Sequence, residues 1–259
     1  MPKLLVCYKW ALDEQDIKIN RDDLSLDASR AKGKISDFDR NAIEEASLIV
    51  EKQGGTVDAL SYGTASVKQS IKDALSRGPN KVMWIGDGSA EIADAFVIAN
   101  VLAAAARKFG PYDVILCGEG SSDMFYQQTA PRLAQLLGLP CVSFVQKMTL
   151  EGEVLTATRK LSDCLEQVSV KGPVVVSVLS EINKPRIPTL KQVLGAAKKP
   201  NAEIKIADLG LTPEQLTPKA VRKSAKGFVM SRKNVIYKES DAAANVAKLV
   251  ASLAAEGLR

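Results

Sequence analysis

The chain has 259 residues and no histidine, and its 35 Lys and Arg side chains exceed its 30 Asp and Glu side chains, giving a formal net charge of +5. Because Ser-His-Asp triads, Cys-His nucleophiles and His-ligated zinc all need an imidazole, this chain acting alone cannot carry those chemistries. With 46% hydrophobic residues it can bury a stable core, which excludes a wholly disordered chain.

The charge pattern and the lengths of the apolar runs exclude further classes of protein. Charges alternate in sign along most of the sequence, so nucleic-acid binding is not indicated. No apolar run approaches the ~20 residues of a membrane span, and the first residues lack a signal-peptide pattern. The cysteines form no CxxC pair and lie at Cys7, Cys117, Cys141 and Cys164. We therefore expect a cytoplasmic protein without a metal site, a membrane span or a nucleic-acid partner.

Strands and helices alternate through the first 140 residues. An apolar run predicts a strand over residues 3–8, and the helical spacing of Ala42, Ile43, Ala46 and Ile49 predicts a helix over 39–52. The same reasoning predicts strands over 56–62, 82–86 and 114–118, and helices over 66–76, over 91–109 and ending near 137. This alternation is typical of a doubly wound, mostly parallel α/β sheet with helices on both faces.

The pattern changes after residue 140. Two β-rich stretches, over 154–159 and 165–170, predict a β-meander insertion before a last buried strand over 174–178. From residue 181 to about 237 the alternation stops, and prolines and lysines predict an extended C-terminal arm that ends in a helix over 241–255. We therefore expect an α/β core over residues 1–180 and a partner-wrapping arm over 181–259.

Three strand ends carry residues suited to a ligand, namely residues 7–9, 62–64 and 118–123. In doubly wound sheets, ligands bind beyond the carboxyl ends of the strands, where loops and helix N-termini supply N–H groups. The loop after 118 is rich in Gly and Ser, which suits a phosphate or nucleotide, whereas Glu119 and Asp123 would repel a bare phosphate. Such turns also occur for backbone reasons alone, and the loop lacks the GxxxxGK[ST] pattern of P-loop NTPases.

Residues 37–39 precede the predicted helix of 39–52. Asp37 and Asp39 are typical of a helix N-terminus, where acidic side chains cap N–H groups and interact favourably with the helix dipole.

Several motifs, in order, resemble the β subunit of electron transfer flavoproteins over nearly the full chain. Residues 36–44 resemble that family's N-P-[FY]-x-x-x-A-[VIL]-E segment, with Ser-Asp in place of Asn-Pro. Residues 118–129 resemble its nucleotide-binding loop, with Gln127 where Asn is usual. Residues 166–190 resemble the end of its signature region and its partner-recognition loop, although Ser162 and Cys164 just before them depart from the signature.

The resemblance implies an adenine-nucleotide site in the core. Its implied cofactor-binding residues are Cys7, Ser36, Asp37, Phe38, Asp39, Tyr62, Gly118, Gly120, Ser121, Asp123, Gln127, Gln128 and Thr129. The nucleotide is AMP in many members and a second FAD in electron-bifurcating members. Asp39 and the Gly-Glu-Gly-Ser loop resemble the FixA-like branch, in which bifurcation is proposed, whereas Thr129 resembles the AMP-binding branch.

The resemblance also implies partners. An α subunit would form a heterodimer with this chain and hold most of the redox-active FAD, and a recognition loop with Arg186, Thr189 and Leu190 would meet the redox partners. The chain would then be an electron carrier subunit, not an enzyme, between dehydrogenases of the acyl-CoA dehydrogenase type and an acceptor such as a quinone oxidoreductase. The alternative is an adenine-nucleotide sensor of the universal-stress or nucleotide α-hydrolase type, which shares the doubly wound architecture.

Overall fold

Strand residues are buried on both faces of one sheet in the computed structural model, which describes residues 1–258. In strand β1 (Lys3–Cys7), Leu4 and Val6 join one core cluster, and Leu5 and Cys7 join the other. Because successive side chains of a strand point to opposite faces, a continuously apolar strand needs cover on both sides.

Within residues 1–258, the remaining strands lie at β2 (Trp10–Leu12), β3 (Lys18–Ile19), β4 (Leu26–Asp27), β5 (Gly33–Ile35), β6 (Thr56–Gly63), β7 (Lys81–Gly86), β8 (Val114–Gly118), β9 (Cys141–Glu151), β10 (Val154–Lys160), β11 (Leu165–Lys171), β12 (Val174–Val178) and β13 (Asn201–Glu203). The α-helices lie at α1 (Asp37–Gln53), α2 (Ile71–Ser76), α3 (Ala95–Phe109), α4 (Thr129–Leu137), α5 (Leu190–Ala196) and α6 (Ala242–Ala255). Short 3₁₀ helices lie at Glu14–Asp16, Ala65–Ser70, Gly88–Glu91, Ser180–Ile182 and Ile206–Leu209.

The main sheet has the strand order β11-β10-β9-β12-β8-β1-β6-β7-β13. In this sheet order, each strand from β9 through β13 runs parallel to its neighbours in that range. Strands β9, β10 and β11 form the antiparallel meander. The chain leaves β1 toward β6 and β7 and then returns to β8 on the other side, so the strand order reverses between β1 and β8. At this point Cys7 and Cys117 are paired neighbours in register. The predicted fold class is confirmed.

Helices cover both faces of the sheet. Helices α1, α2 and α5 contribute to one core cluster, which also contains residues of the meander. Helices α3 and α4 contribute to the other cluster. The segment after α5 also belongs to the core: Ile204 is buried in the second cluster, and Leu209, Leu211 and Leu216 pack against it. The sequence pattern predicted neither α5 nor β13.

The chain divides into two compact units. The first comprises Met1–Lys18 and Asp27–Ala225, and the second comprises Ile19–Leu26 and the chain from Lys226 onward. In the second unit, Asp241 caps α6 by accepting a hydrogen bond from the Ala244 N–H at 3.1 Å, and none of the residues of α6 is buried. Among the helices of residues 1–258, none combines the length and the apolarity needed to cross a bilayer.

Candidate functional site

A cavity of about 360 Å³ lies beyond the carboxyl ends of β1, β6 and β8, where the strand order reverses. Such a reversal opens a crevice between loops that leave the sheet toward opposite faces, and it is where doubly wound folds bind ligands. Nine residues implied by the family resemblance line this cavity: Cys7, Asp39, Tyr62, Gly118, Gly120, Ser121, Asp123, Gln127 and Thr129. The structure thus brings together side chains from four separate parts of the chain.

Three further residues implied by the resemblance contact the loop of residues 119–128 and support it. The Ser36 Oγ accepts a hydrogen bond from the Ser122 N–H at 3.2 Å, and the Asp37 N–H donates to the Ser122 Oγ at 3.1 Å. The ring of Phe38 lies 5.2 Å from that of Phe125, centroid to centroid. These contacts attach the loop of residues 119–128 to the start of α1.

Gln128 and Thr129 are adjacent but face different surroundings. Thr129 is the first residue of α4 and lines the cavity. The Gln128 Oε1 instead accepts a hydrogen bond from the Arg132 Nε at 2.9 Å, and its side chain lines a separate open groove formed with residues of α3 and α4. Only Thr129 of this pair is placed to touch a molecule in the cavity.

Asp39 joins three elements at the floor of the cavity. Its buried carboxylate accepts hydrogen bonds from the Lys9 N–H at 2.8 Å and the Gly118 N–H at 3.1 Å, which links α1 to the ends of β1 and β8. The interpretation of Asp39 as a helix cap is therefore wrong, because it bonds to other elements; Ser36 stands at the cap position and makes no side-chain cap bond. A Cβ at position 118 would lie 2.7 Å from the Asp39 Oδ1, so the close approach requires glycine.

Burial raises the pKa of Asp39 to about 7, although the N–H groups of Lys9 and Gly118 act against the shift. The folded chain thus retains a proton that the unfolded chain, with a pKa of 3.8, has already lost. The free energy of unfolding should therefore fall as the pH rises from about 4 to about 7. We expect a ¹³C NMR titration of the Asp39 carboxyl to have its midpoint near 7, and Asp39→Asn to remove both this signal and this part of the pH dependence. A midpoint at about 4 would instead show that the two N–H donors fully offset the effect of burial on the pKa.

An ion pair and a strained turn shape the polar wall. The Lys9 Nζ lies 2.7 Å from the Asp123 Oδ2. Burial disfavours the ionised carboxyl, yet Lys9 and the Ser121 hydroxyl hold the pKa of Asp123 below its usual range. Next to it, Gln127 has a φ of 55°, in the left-handed region that non-glycine residues rarely adopt. Asp123 thus stays ionised with its charge balanced by Lys9, and together with the turn at Gln127 it gives this part of the lining a defined set of donors and acceptors.

A largely apolar part of the lining was missed by the sequence reasoning. It comes from the first half of α3 and the residues just before it, where Glu91 is accompanied by Ala90, Ala93, Ala95, Ile98 and Leu102. Their helical spacing is equally typical of a core face, so the pattern offered no separate signal for a ligand. Arg222, which comes from the predicted arm, also lines the cavity. A cavity lined by both polar and apolar residues suits a flat heterocycle joined to a sugar and phosphate.

The three residues implied to recognise partners lie outside this cavity. Thr189 caps α5 through reciprocal hydrogen bonds with Gln192, and Leu190, the first residue of α5, is exposed. The Arg186 guanidinium is bound to Glu44 and Glu51 of α1. These residues form a second surface, separate from the loop of residues 119–128.

Comparison with protein-family models agrees with the motifs in the sequence. The model of the electron transfer flavoprotein domain matches residues 23–209. This range includes α1, the loop of residues 119–128 and the α5 segment, and therefore most of the cavity and the second surface. Because the match covers most of the chain, the chain belongs to the electron transfer flavoprotein family.

Proposed function

We propose that the chain is the β-type subunit of an electron transfer flavoprotein and that its cavity holds an adenine nucleotide, either AMP or a second FAD. The observation that carries this proposal is the cavity at the strand reversal, which is lined both by the polar loop of residues 119–128 and by apolar residues of α3. A nucleotide sensor of the universal-stress type, the alternative drawn from the sequence, loses its support because the chain is a member of another family.

The residues present fit such a nucleotide. Thr129 stands at the N-terminus of α4, where free N–H groups and the helix dipole favour a phosphate. Its hydroxyl adds a donor beside Ser121, while Ile98 and Leu102 offer an apolar surface to a base. The Lys9 ion pair keeps Asp123 from presenting an unbalanced negative charge to the phosphate.

The proposed role is electron carriage, not independent catalysis. FAD held mainly by an α subunit would supply the redox chemistry, and this chain would position the nucleotide and a docking surface. Electrons would pass from dehydrogenases of the acyl-CoA dehydrogenase type to an acceptor such as a quinone oxidoreductase, in the cytoplasm. A second FAD in the cavity would place the chain in the FixA-like, bifurcating branch, and AMP would place it in the other.

Thr129→Ala and Gln128→Ala form a matched pair that tests the site. We expect Thr129→Ala to weaken nucleotide retention by about 1–3 kcal/mol, since a buried phosphate would lose a hydroxyl donor. Gln128→Ala should leave retention unchanged, because its side chain faces Arg132. The measurement is chromatography of the nucleotide released by denaturing the purified αβ complex, which also distinguishes AMP from FAD. Equal retention by both variants, or a wild-type complex without nucleotide, would refute the site.

A further inference from the structure

The segment after β13 runs along helix α3, from the end of that helix back to its start. Near the C-terminus of α3, the Lys108 Nζ donates a hydrogen bond to the Asp208 carbonyl at 2.8 Å. Near its N-terminus, the Lys219 Nζ lies 5.3 Å from the centre of the Phe96 ring. Between these contacts, three leucines pack against the core cluster that contains α3, namely Leu209, Leu211 and Leu216. We call residues 208–222 the strap.

Asp94 fixes the strap at the point where α3 begins. Its Oδ1 accepts a hydrogen bond from the Val97 N–H at 3.0 Å, which caps the helix. Its Oδ2 accepts hydrogen bonds from the backbone N–H groups of Lys219 and Ala220 at 2.7 and 2.9 Å. Although partial burial acts against it, these N–H donors hold the pKa of Asp94 below its usual range. One ionised carboxylate therefore caps α3 and also holds the strap two residues before Arg222.

Arg222 carries a charge that no group of its own chain balances. It is exposed and lines the cavity at the strand reversal. Among the described residues, the cations that line this cavity are Lys9 and Arg222. The Lys9 ammonium is bound to Asp123, whereas Arg222 forms no ion pair within residues 1–258. Glu91 belongs to the same lining but does not pair with Arg222. The guanidinium is thus available to a ligand.

We propose that Arg222 binds a phosphate group of the molecule in the cavity and that Asp94 is the positioning residue that holds Arg222 beside it. This inference rests on the proposed nucleotide function. A planar guanidinium presents paired N–H donors that match two oxygens of a phosphate. Thr129 begins α4, so the cavity would offer phosphate groups donors from two separate elements. The cavity should therefore bind phosphorylated adenosine in preference to adenosine itself.

The first test measures binding of adenosine, AMP and ADP to the nucleotide-free αβ complex by equilibrium dialysis. ADP carries the two phosphates found in the ADP half of FAD. We expect Arg222→Gln to weaken binding of a phosphorylated ligand at least about tenfold and to leave adenosine binding unchanged, since only the contact with phosphate is lost. A loss with both AMP and ADP assigns Arg222 to the first phosphate, and a loss with ADP alone assigns it to the second. Lys223→Gln is the matched control, because it removes the same charge from a neighbour that does not line the cavity.

The second test is Asp94→Asn, which separates the two roles of this side chain. An asparagine keeps one oxygen to cap the Val97 N–H, but its amide nitrogen cannot accept hydrogen bonds from Lys219 and Ala220. Amide hydrogen exchange over residues 219–222 should become about tenfold faster while the first turn of α3 keeps its protection. Affinity for the phosphorylated ligand should fall about three- to fivefold, and affinity for adenosine should not change.

Three outcomes would overturn the inference. The first is a wild-type complex that binds adenosine as tightly as AMP and ADP, and the second is wild-type affinity for both nucleotides in Arg222→Gln. The third is full recovery of affinity in the double variant Glu91→Gln, Arg222→Gln, which would show that Arg222 only balances Glu91. Unchanged exchange and affinity in Asp94→Asn would remove the positioning role. A wild-type complex that binds none of the three molecules would instead refute the nucleotide site itself.

Discussion

Val246→Asp combined with Val250→Asp in α6 is expected to abolish assembly with the α-type subunit. Val246, Leu249, Val250 and Leu253 follow helical spacing and form one apolar stripe, yet all four are exposed. A stripe of this kind needs a partner surface, and each of its side chains would contribute about 1.5–3 kcal/mol on burial. Two aspartates would replace that contribution with the cost of burying charge, so the assembly constant should fall by more than about a thousandfold.

The control for this prediction is Ala251→Asp, which introduces a single aspartate on the opposite side of α6. Co-expression with a tagged α subunit, followed by size-exclusion chromatography and a flavin absorption spectrum, gives the amount of one-to-one complex. The double variant should yield an aggregating or protease-sensitive chain without yellow flavin, and the control should yield the complex. A double variant that still forms the flavin-bearing complex would show that α6 lies outside the interface.

Exposed apolar residues before α6 support the same partner. Phe228, Val229, Met230, Val235 and Ile236 are exposed in a stretch that holds no helix or strand in the described chain. Ordering such a stretch costs conformational entropy, which only an extensive contact offsets. We therefore expect an interface of the obligate class, above about 2,000 Å² in total. A stable monomer that accepts electrons without any partner would contradict this expectation.

Leu190→Ala is expected to slow electron transfer with the dehydrogenase while leaving flavin and nucleotide contents intact. Leu190 projects from an ordered helix start whose backbone is fixed by the Thr189 capping box, so its side chain is free to enter a pocket on a partner. A central apolar anchor of this kind contributes about 2 kcal/mol or more to association. The KM for the complex should rise at least about tenfold.

Leu165→Ala provides the comparison for this second prediction. Leu165 is also strongly exposed, at 63%, but it begins the edge strand β11 of the meander. Losing it removes a similar exposed area without touching α5, so the KM should not change. If both leucine variants reduced the rate equally, the effect would come from general surface changes, and the assignment of Leu190 as an anchor would fail.

The regular core could be predicted because its strands are apolar on both faces. Strands such as Val114–Gly118 and Val174–Val178 are continuous apolar runs, a pattern that a buried parallel strand needs and a surface loop cannot tolerate. By contrast, β13 has the sequence Asn-Ala-Glu, whose residues have low strand propensity. It pairs with β7 because neighbouring residues pack on the core, and this tertiary effect leaves no local pattern.

Helix α5 left a signal that could have been used. Thr189 and Gln192 have the spacing of a capping box, which marks a helix start even in a segment with several prolines. The density of prolines in residues 181–218 favoured an extended arm instead. The predicted arm and the observed helix differ because the number of prolines in residues 181–218 does not show how the residues between two prolines fold.

The candidate site was predictable where it followed strand ends and unpredictable elsewhere. Cys7, Tyr62 and Gly118 lie at or next to the carboxyl ends of neighbouring parallel strands, so their proximity follows from topology. Arg222 is more than 90 residues beyond the loop of residues 119–128 in sequence and has no local feature that sets it apart. The apolar wall of α3 resembles a core face, and only the tertiary arrangement distinguishes an apolar wall from an apolar interior.

The paired cysteines at the strand reversal have a chemical consequence. Cys7 and Cys117 are buried side by side on β1 and β8 and line the cavity, whereas Cys141 and Cys164 are exposed. The proximity of Cys7, together with burial, raises the pKa of the Cys117 thiol, which slows its attack on alkylating reagents. The two exposed thiols should therefore be alkylated quickly and the two buried thiols slowly. A molecule that fills the cavity would shield the buried pair further, so the alkylation rate of Cys7 and Cys117 measures whether the cavity is occupied.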